Sequence, residues 1–297
     1  MVFLLLKVPL KEGMDLMEEY FSNLEAITKD LESEAIILND VAYFKLAGAS
    51  KNENFRSPDS YVFIIFKKSK GIHTVDFETY EEKDLQIHIS FPGQIHSWDT
   101  ADCAVGHKLI IKKEYLESML YDSYLLSSRI NRFPVLNINE HFYRKLGSEI
   151  FILEQELADF RFGPIIKVRT ELILRLIDTL VAKLVEKGKK RLPQLIINFY
   201  ILLDENFIAQ KNIGFYADKL AITAGHLSSQ CREYTGLTAK ENLDQRILLE
   251  AKRLLLGTTY SIKEITFKLD FGTMSRFSIF FKAKTGYNPK EFRNRFM

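Results

Sequence analysis

The feature that most constrains this chain is a helix-turn-helix pattern that occurs twice near its C-terminal end. In the first copy, residues 213–220 place their apolar side chains at the spacing of one buried helix face. Thr223 is a favourable N-cap for a second helix over residues 224–234, and Gly236 ends that helix. A short helix, a tight turn and a second short helix are typical of the helix-turn-helix unit.

The second copy lies downstream with the same order of elements, so that Leu227 and Phe277 occupy equivalent positions. Ser261 and Glu264 have the spacing of a capping box ahead of its first helix. Its second helix is predicted over Thr273–Thr285, before a glycine and a proline that prevent its continuation. The repetition predicts two related units within one all-α domain, over residues 191–297.

One long amphipathic helix, predicted over Ala239–Leu256, joins the two copies. A rigid connector fixes the separation of the two second helices, which can then enter successive major-groove segments on one face of a DNA duplex. Residues 190–297 carry a net charge of +7, from 17 Lys and Arg against 10 Asp and Glu, whereas residues 1–189 carry −5. A basic segment on an acidic body suggests a polyanion as the partner of that segment, and the doubled unit favours double-stranded DNA as that polyanion.

The side chains on the front or flank of each second helix are the predicted DNA contacts. They are Gly225, His226, Ser228, Ser229 and Arg232 in the first copy, and Thr273, Met274, Arg276, Ser278 and Lys282 in the second. We expect Arg276 to contact DNA and Lys282 to bind phosphate, while the serines contact phosphate or allow a close approach of the backbone. The alternatives are that His226 packs the start of its helix and that Met274 lies at the rim.

From about Phe199 onward the sequence resembles the DNA-binding domain of AraC/XylS-type bacterial transcription regulators. The residues that carry the resemblance are Tyr216-Ala217-Asp218-Lys219-Leu220, Thr223, His226-Leu227-Ser228, Thr235-Gly236, Glu250-Ala251-Lys252-Arg253-Leu254-Leu255, Ser261-Ile262-Lys263-Glu264-Ile265, Phe271, Phe277, Phe280-Phe281-Lys282, Thr285-Gly286, Pro289 and Phe292-Arg293. The resemblance implies a sequence-specific transcriptional regulator with a seven-helix DNA-binding domain. It also implies a homodimer and RNA polymerase as a partner.

Four positions depart from the usual pattern of that family. Thr266 stands where Ala is usual, and Asp270 stands in the turn where Gly is usual. Asp tolerates a left-handed backbone better than most residues, so the turn is expected to survive. Ser229 and Ile279 stand where a basic residue is common, and the arginines of the same two helices are the expected replacements.

The first part of the chain, residues 1–112, is predicted to consist of short β-strands. Residues 61–66 form an apolar run, and residues 74–80 and 84–91 alternate apolar with polar side chains, as half-buried strands do. Turn residues between them favour a sandwich or barrel. Two segments, Asp59-Ser60-Tyr61 and Phe91-Pro92-Gly93-Gln94-Ile95-His96-Ser97-Trp98, resemble the cupin-like sensor domain of such regulators. The fold class is therefore α+β: a cupin-like β-barrel, then helices, then the all-α domain.

The resemblance implies a small-molecule effector in the barrel, for which His88, His96 and Trp98 are the candidate contacts. Neither these histidines nor His73 and His107 lie at a spacing that presents two of them from one element, so no metal is predicted. No phosphate loop, zinc-spaced Cys/His pair or nucleophile motif is found, and neither an enzyme nor a cofactor is expected. The alternatives are a metal-dependent cupin enzyme fused to a DNA-binding domain, and an N-terminal part that only dimerises.

Residues 113–190 are predicted to be helical and to end in a linker at Gly188-Lys189-Lys190. One stripe in this part has the four, three, four spacing of a short coiled-coil seam. Its members are Ile173, Ile177, Leu180 and Leu184. The stripe is interpreted either as a dimer helix or as an ordinary face that packs on the core.

The sequence contains two cysteines, Cys103 and Cys231, far apart in the chain, and we expect both to be reduced in a cytoplasmic protein. The apolar run Val2–Leu6 is too short to cross a membrane. A further helix is expected over Met14–Leu24, which has helical spacing and an acidic face.

Overall fold

The computed structural model describes residues 35–38, 40–56, 59–120, 123–125, 134–158, 163–188 and 192–296. The expected helix at Met14–Leu24, the apolar run at Val2–Leu6 and the last two residues of the predicted linker lie outside them. Within the described ranges, no helix is both long enough and apolar enough to span a bilayer.

Two antiparallel sheets form the N-terminal part. The six-stranded sheet has the order β1-β2-β9-β4-β7-β10, and the four-stranded sheet has the order β3-β8-β5-β6. The strands are β1 (Ala35–Leu38), β2 (Val41–Ala47), β3 (Ser50–Arg56), β4 (Ser60–Lys68), β5 (Gly71–Val75), β6 (Glu78–Glu82), β7 (Gln86–Ser90), β8 (Ile95–Thr100), β9 (Val105–Lys112) and β10 (Val135–Asn137). The sheets face each other across a packed interior, where the His73 ring on β5 lies 5.1 Å from the His88 ring on β7.

Both faces of the six-stranded sheet are buried, which explains the continuous apolar run in β4. One row across the sheet, Phe44, Lys108, Ile64 and His88, points into the interior between the sheets. The neighbouring row packs against helices on the outside. Strands covered on both sides read as apolar runs rather than as alternating patterns.

The strand predicted over residues 74–80 is wrong, because the structure has a hairpin there. β5 ends at Val75, β6 begins at Glu78, and the turn residues Asp76 and Phe77 have φ values of 47° and 75°. The Asp76 carboxylate holds the turn by accepting hydrogen bonds from the Gln94 side chain (2.8 Å) and the Ile95 N–H (3.2 Å). The strand predicted over residues 84–91 is found, shortened, as β7.

Three helices, α1 (Lys113–Met119), α2 (Glu140–Leu157) and α3 (Gly163–Gly188), follow the strands and share one core with the outer sheet face. Ile173 and Ile177 are fully buried in that core, and Leu180 packs against it. This corrects the dimer interpretation for Ile173 and Ile177, because side chains buried within one chain leave no surface for a second copy. The Leu184 side chain lies outside the described part.

Seven helices make up the described C-terminal domain, as expected. They are α4 (Gln194–Asn206), α5 (Ile213–Lys219), α6 (Ala224–Thr235), α7 (Ala239–Gly257), α8 (Ile262–Lys268), α9 (Met274–Thr285) and α10 (Pro289–Phe296). Each helix-turn-helix has its own apolar core, and α7 contributes to both: Leu243 and Ile247 pack in the first, Leu248 and Leu255 in the second. Phe271 in the second turn packs against both cores.

The capping signals of the sequence are confirmed. Thr223 accepts a hydrogen bond from the His226 N–H (3.1 Å), and the capping box of Ser261 and Glu264 is formed in both directions. Asp270 adopts the left-handed conformation with a φ of 52°. Three boundaries differ by one residue: α6 extends to Thr235, α7 extends to Gly257, and Thr273 is not the first helical residue but the N-cap of α9.

We expect Gly286→Ala to lower the free energy of unfolding by about 1 kcal/mol, because an L-residue is strained at the left-handed end of a helix. Gly286 has a φ of 82°, and a Cβ there would meet nothing within 4 Å, so the cost is that of the backbone alone. Gly147→Ala is the matched control, since Gly147 lies inside α2 with equal space around it. Urea unfolding should show the control to be more stable than the parent by about 0.5–1 kcal/mol. Equal effects at both positions would contradict this account.

Candidate nucleic-acid interface and barrel interior

The second helices of the two units, α6 and α9, present the same surface. From Ala224 to Gly236 and from Met274 to Gly286 the order of exposed and buried side chains is nearly identical. In each helix two side chains, Leu227 with Cys231 and Phe277 with Phe281, are buried, and the opposite face is open. The predicted repeat is therefore a repeat of structure.

The predicted contact residues lie on this open face. Gly225, His226, Ser229 and Arg232 on α6 are exposed, as are the cap Thr273 and Met274, Arg276 and Lys282 on α9, while Ser228 and Ser278 are half-buried. Within the described ranges the Arg276 guanidinium forms no ion pair. An exposed arginine without an acidic partner is available to a phosphate or to a base edge.

The two open faces differ in chemistry. α6 offers mostly small side chains, whereas α9 offers Arg276 together with Met274 and Ile279, which are 50% and 71% exposed. Ile279 stands where a basic residue was expected by resemblance. Apolar side chains on a reading helix suit the methyl group of thymine. The exposure of Ile279 was not predicted from the sequence, although an isoleucine on the polar side of an amphipathic helix was the available signal.

The barrel holds the connecting helix α7 through an ion pair. The Arg253 guanidinium donates two hydrogen bonds to the Asp76 carboxylate, from Nε at 2.8 Å and from Nη2 at 2.6 Å. Arg253 is almost fully buried, and Glu250, one turn earlier, lies 3.5 Å from its Nη1. A buried, hydrogen-bonded ion pair of this kind constrains the relative position of the barrel and α7 more than it stabilises the fold. This contact could not be predicted from the sequence, because Asp76 and Arg253 lie far apart in the chain and no local pattern links them.

A close apolar contact lies beside the ion pair. A Cβ placed on Gly257, the last residue of α7, would lie 2.7 Å from Cδ1 of Ile95. Ile95 begins β8, and its N–H bonds to Asp76. The same strand therefore contacts α7 at one end and passes through the barrel interior further along.

Three histidines meet inside the barrel. The rings of His73 and His88 are joined by a 2.9 Å contact between their Nδ1 atoms, and the His96 ring lies 5.8 Å from that of His73. Burial is the main cause that lowers the pKa of His73 to about 4 and of His88 to about 3. The pKa of His96 is also well below its usual value, chiefly from burial. All three are therefore neutral at pH 7.

The cluster could not be predicted from the sequence, because its histidines come from three strands in two sheets. The fourth, His107, lies on the outer face, where its Nδ1 is 3.1 Å from the Tyr43 hydroxyl. Among the described residues, no three His, Cys, Asp or Glu side chains are arranged to hold a metal ion. The chemistry of the interior also disfavours a cation, because the buried Lys108 ammonium lowers the pKa of both His73 and His96.

The candidate effector contacts lie in or beside a pocket of the barrel. Trp98 lines it, while His88 and His96 are buried nearby and do not. Lys108, which the sequence analysis did not single out, does line it. The available signal was a lysine on the interior-facing side of an otherwise apolar strand, Leu109-Ile110-Ile111.

Comparisons with known proteins find a similarity in the C-terminal domain. A family model described as a helix-turn-helix domain matches residues 216–295. The transcriptional activator RhaS of Escherichia fergusonii is 25% identical over 156 residues, which are 52% of this chain and 56% of that protein. RhaS of Enterobacter sp. (strain 638) is 29% identical over 108 residues, 36% of this chain and 37% of that protein. The chain thus spans about half the length of the curated relatives that it matches.

Among solved structures, ToxT from Vibrio cholerae is similar with a TM-score of 0.43 and 16% sequence identity, over 86% of this chain and 97% of that one. The match to the family model covers both second helices and the connecting helix between them. Residues 216–295 are thus similar to a helix-turn-helix domain, in agreement with the two units that the structure contains.

Proposed function

We propose that the whole chain is a sequence-specific, DNA-binding transcriptional regulator that acts as a homodimer in the cytoplasm and is modulated by a small molecule in its barrel. The observation that carries the proposal is the pair of matching open faces on α6 and α9, joined by one helix that packs in both cores. Such a unit can place two helices in successive major-groove segments. RNA polymerase is proposed as a partner from the resemblance to AraC/XylS-type regulators alone.

The exposed side chains of α6 and α9 suggest that the two helices make different contacts with DNA. The small side chains at the start of α6 allow its backbone to approach the phosphates, with Arg232 in its last turn. α9 instead supplies a guanidinium near its start, together with two apolar side chains for base edges. We therefore assign most of the sequence preference to α9, with Arg276 reading guanine and Ile279 contacting a thymine methyl. Lys282, one turn further along α9, is assigned to phosphate.

Arg276→Ala should weaken binding to the preferred site by about 1–3 kcal/mol and leave binding to random duplex nearly unchanged, because it removes a base contact. Lys282→Ala should weaken both and reduce the slope of log affinity against log salt by about 1. The measurement is a salt series of DNA binding by the full chain, with the upstream region of its own gene and random duplex as probes.

Lys83→Ala is the control, because Lys83 is an exposed lysine beside Glu81 in the four-stranded sheet and loses the same charge. It should leave both affinities unchanged. If the Arg276→Ala variant kept the parent's preference for the upstream DNA, α9 would not be the helix that reads the sequence. Equal binding of both duplexes by the parent chain would contradict a sequence-specific regulator.

The dimer is assigned to an exposed apolar stripe on α3. Ile165, Val168 and Leu172 recur at helical spacing, and Val168 is 67% exposed. They lie on the same helix as the buried stripe at Ile173 and Ile177 but on another face. Exposed apolar residues in one stripe mark association surfaces, and a two-fold dimer would pair this stripe with itself.

Val168→Glu should convert the dimer to a monomer, since it places two carboxylates against each other across a two-fold axis. Sedimentation velocity of the full chain at micromolar concentration measures this directly. Lys167→Glu is the control, because it changes charge at the preceding helix position. A parent chain that is monomeric, or a Val168→Glu variant that remains dimeric, would exclude this stripe as the dimer contact.

Effector control is assigned to the contact between the barrel and α7. β8 carries Trp98 at the pocket and Ile95 at Gly257, and Asp76 bonds to both Ile95 and Arg253. A shift of this strand on ligand binding would move the helix that positions both reading helices. The effector thereby changes how the DNA-binding domains are held, and so the affinity for paired half-sites.

Asp76→Asn should lower the free energy of unfolding by about 3 kcal/mol, because it leaves a buried guanidinium without its main partner. It should also split unfolding into two transitions, since the barrel and the C-terminal domain lose their ionic contact. Calorimetry of the full chain measures both effects. Asp99→Asn is the control, because its pairing with Lys51 at 3.8 Å is exposed. An unchanged single transition in Asp76→Asn would show that the ion pair does not couple the two parts.

A further inference from the structure

The two helix-turn-helix units contact each other directly, as well as through α7. The side chains of Phe271 and Phe280 pack partly against both apolar cores. Apolar contacts are non-directional, so they hold two units together without selecting one angle between them. A more directional contact is needed to set the angle between the open faces of α6 and α9.

One directional contact comes from Lys211, in the segment between α4 and α5. This segment is tied to the first unit on both sides of Lys211, because the Tyr216 hydroxyl donates to the Gln210 carbonyl at 2.8 Å and the Asn212 side chain caps α5. The Lys211 ammonium donates to the backbone carbonyl of Asp270 at 2.9 Å. Asp270 lies in the turn of the second unit, so this hydrogen bond joins the two units.

The same ammonium has further partners that hold it in place. It donates to the Ile208 carbonyl, lies 3.9 Å from the Asp270 carboxylate and lies 5.5 Å from the centroid of the Phe271 ring. Burial lowers the pKa of Lys211, and the Asp270 carboxylate opposes that shift. Hydrogen bonds from a charged, half-buried donor are shorter and stronger than those between neutral groups. Lys211 can therefore orient the units in a way that the apolar contacts cannot.

The backbone of the second turn fits this role. Ala221 in the first turn and Asp270 in the second have left-handed φ values of 54° and 52°, which glycine adopts without strain. A left-handed residue other than glycine persists where its surroundings hold it. The hydrogen bond from Lys211 to the Asp270 carbonyl is such a contact, and the Asp270 side chain adds a carboxylate beside the ammonium.

A second directional contact lies at the other end of the same interface. Lys284, in the last turn of α9, pairs with the Asp244 carboxylate at 3.0 Å, and Lys240 pairs with the same carboxylate at 2.7 Å. Asp244 follows Leu243, which packs in the core of the first unit. The end of α9 is therefore attached to the half of α7 that belongs to the first unit.

We propose that Lys211 and Lys284 are positioning residues that fix the angle between the two helix-turn-helix units, so that the chain accepts only one separation of its two DNA segments. The part of this proposal that concerns DNA rests on the proposed function. One inserted base pair moves a segment by about 3.4 Å along the duplex and turns it by about 35° around the axis. Two units held at one angle cannot follow both displacements.

The first test selects binding sites for the full chain from a pool of random duplexes. The parent should enrich two short segments at one separation, and one base pair inserted between them should lower the affinity at least about tenfold. The Lys211→Met/Lys284→Met variant should enrich the same two segments at several separations, because the bonds that set the angle are gone. Its affinity should fall by no more than about threefold on the same insertion.

Two further variants separate positioning from loss of charge. Lys263→Met/Lys290→Met removes the same charge from exposed lysines on α8 and α10 and should keep the single separation. Lys211→Arg/Lys284→Arg should also keep it, because guanidinium groups can donate to the same oxygens. A uniform loss of affinity in the Lys211→Met/Lys284→Met variant, with the single separation retained, would overturn the proposal.

A second test measures the angle without DNA. Spin labels at Ser229→Cys and Ile279→Cys report the distance between the two open faces, in a Cys103→Ser background that removes the exposed thiol while Cys231 stays buried. The parent should give one narrow distance distribution, and the double methionine variant should broaden it. An unchanged distribution would overturn the positioning role, whatever the DNA results. A broadened distribution in a chain that enriches no DNA sequence would instead refute the sequence-specific regulator.

Discussion

The structure depends on the helix α7, whose two ends are buried in different cores. Leu243 and Ile247 complete the first helix-turn-helix, and Leu248 and Leu255 complete the second. Neither short unit could bury enough apolar surface alone, because a helix of seven residues and one of twelve leave one side open. Sharing one helix solves this problem and fixes the distance between the two reading helices. The packing that stabilises the domain is thus the same packing that sets the separation of its two open helix faces.

The C-terminal domain could be predicted almost completely from the sequence because its signals are local. A cap, a stop glycine and an apolar stripe act within a few residues, and Thr223, Ser261 and Gly286 behave as their positions indicate. The boundaries that moved, at the ends of α6 and α7 and at the start of α9, each moved by a single residue. The open faces of the reading helices follow from the same periodicity, so the predicted contact residues are exposed or half-exposed.

The N-terminal part was predicted less well because its determinants are not local. A hairpin at Asp76 looked like one strand, since the alternation continues across the turn and the bonds that bend it come from Gln94 and Ile95. The histidine cluster and the pocket depend on the register between strands of two sheets, which composition does not encode. The stripe at Ile173 illustrates a different ambiguity. A helix face that contacts a second copy of the chain and a helix face that packs on the chain's own core have the same residue spacing. Only the burial of the side chains within one chain distinguishes the two.

The ion pair between Arg253 and Asp76 has a consequence for work with fragments of this protein. The acidic body supplies the carboxylate, and the basic domain supplies the guanidinium, so each part neutralises one charge of the other. An excised C-terminal fragment would carry Arg253 on its connecting helix without the Asp76 carboxylate as its partner. The fragment therefore has one positive charge that the intact chain neutralises with Asp76. Its attraction to a polyanion would then be stronger than that of the same domain in the complete molecule.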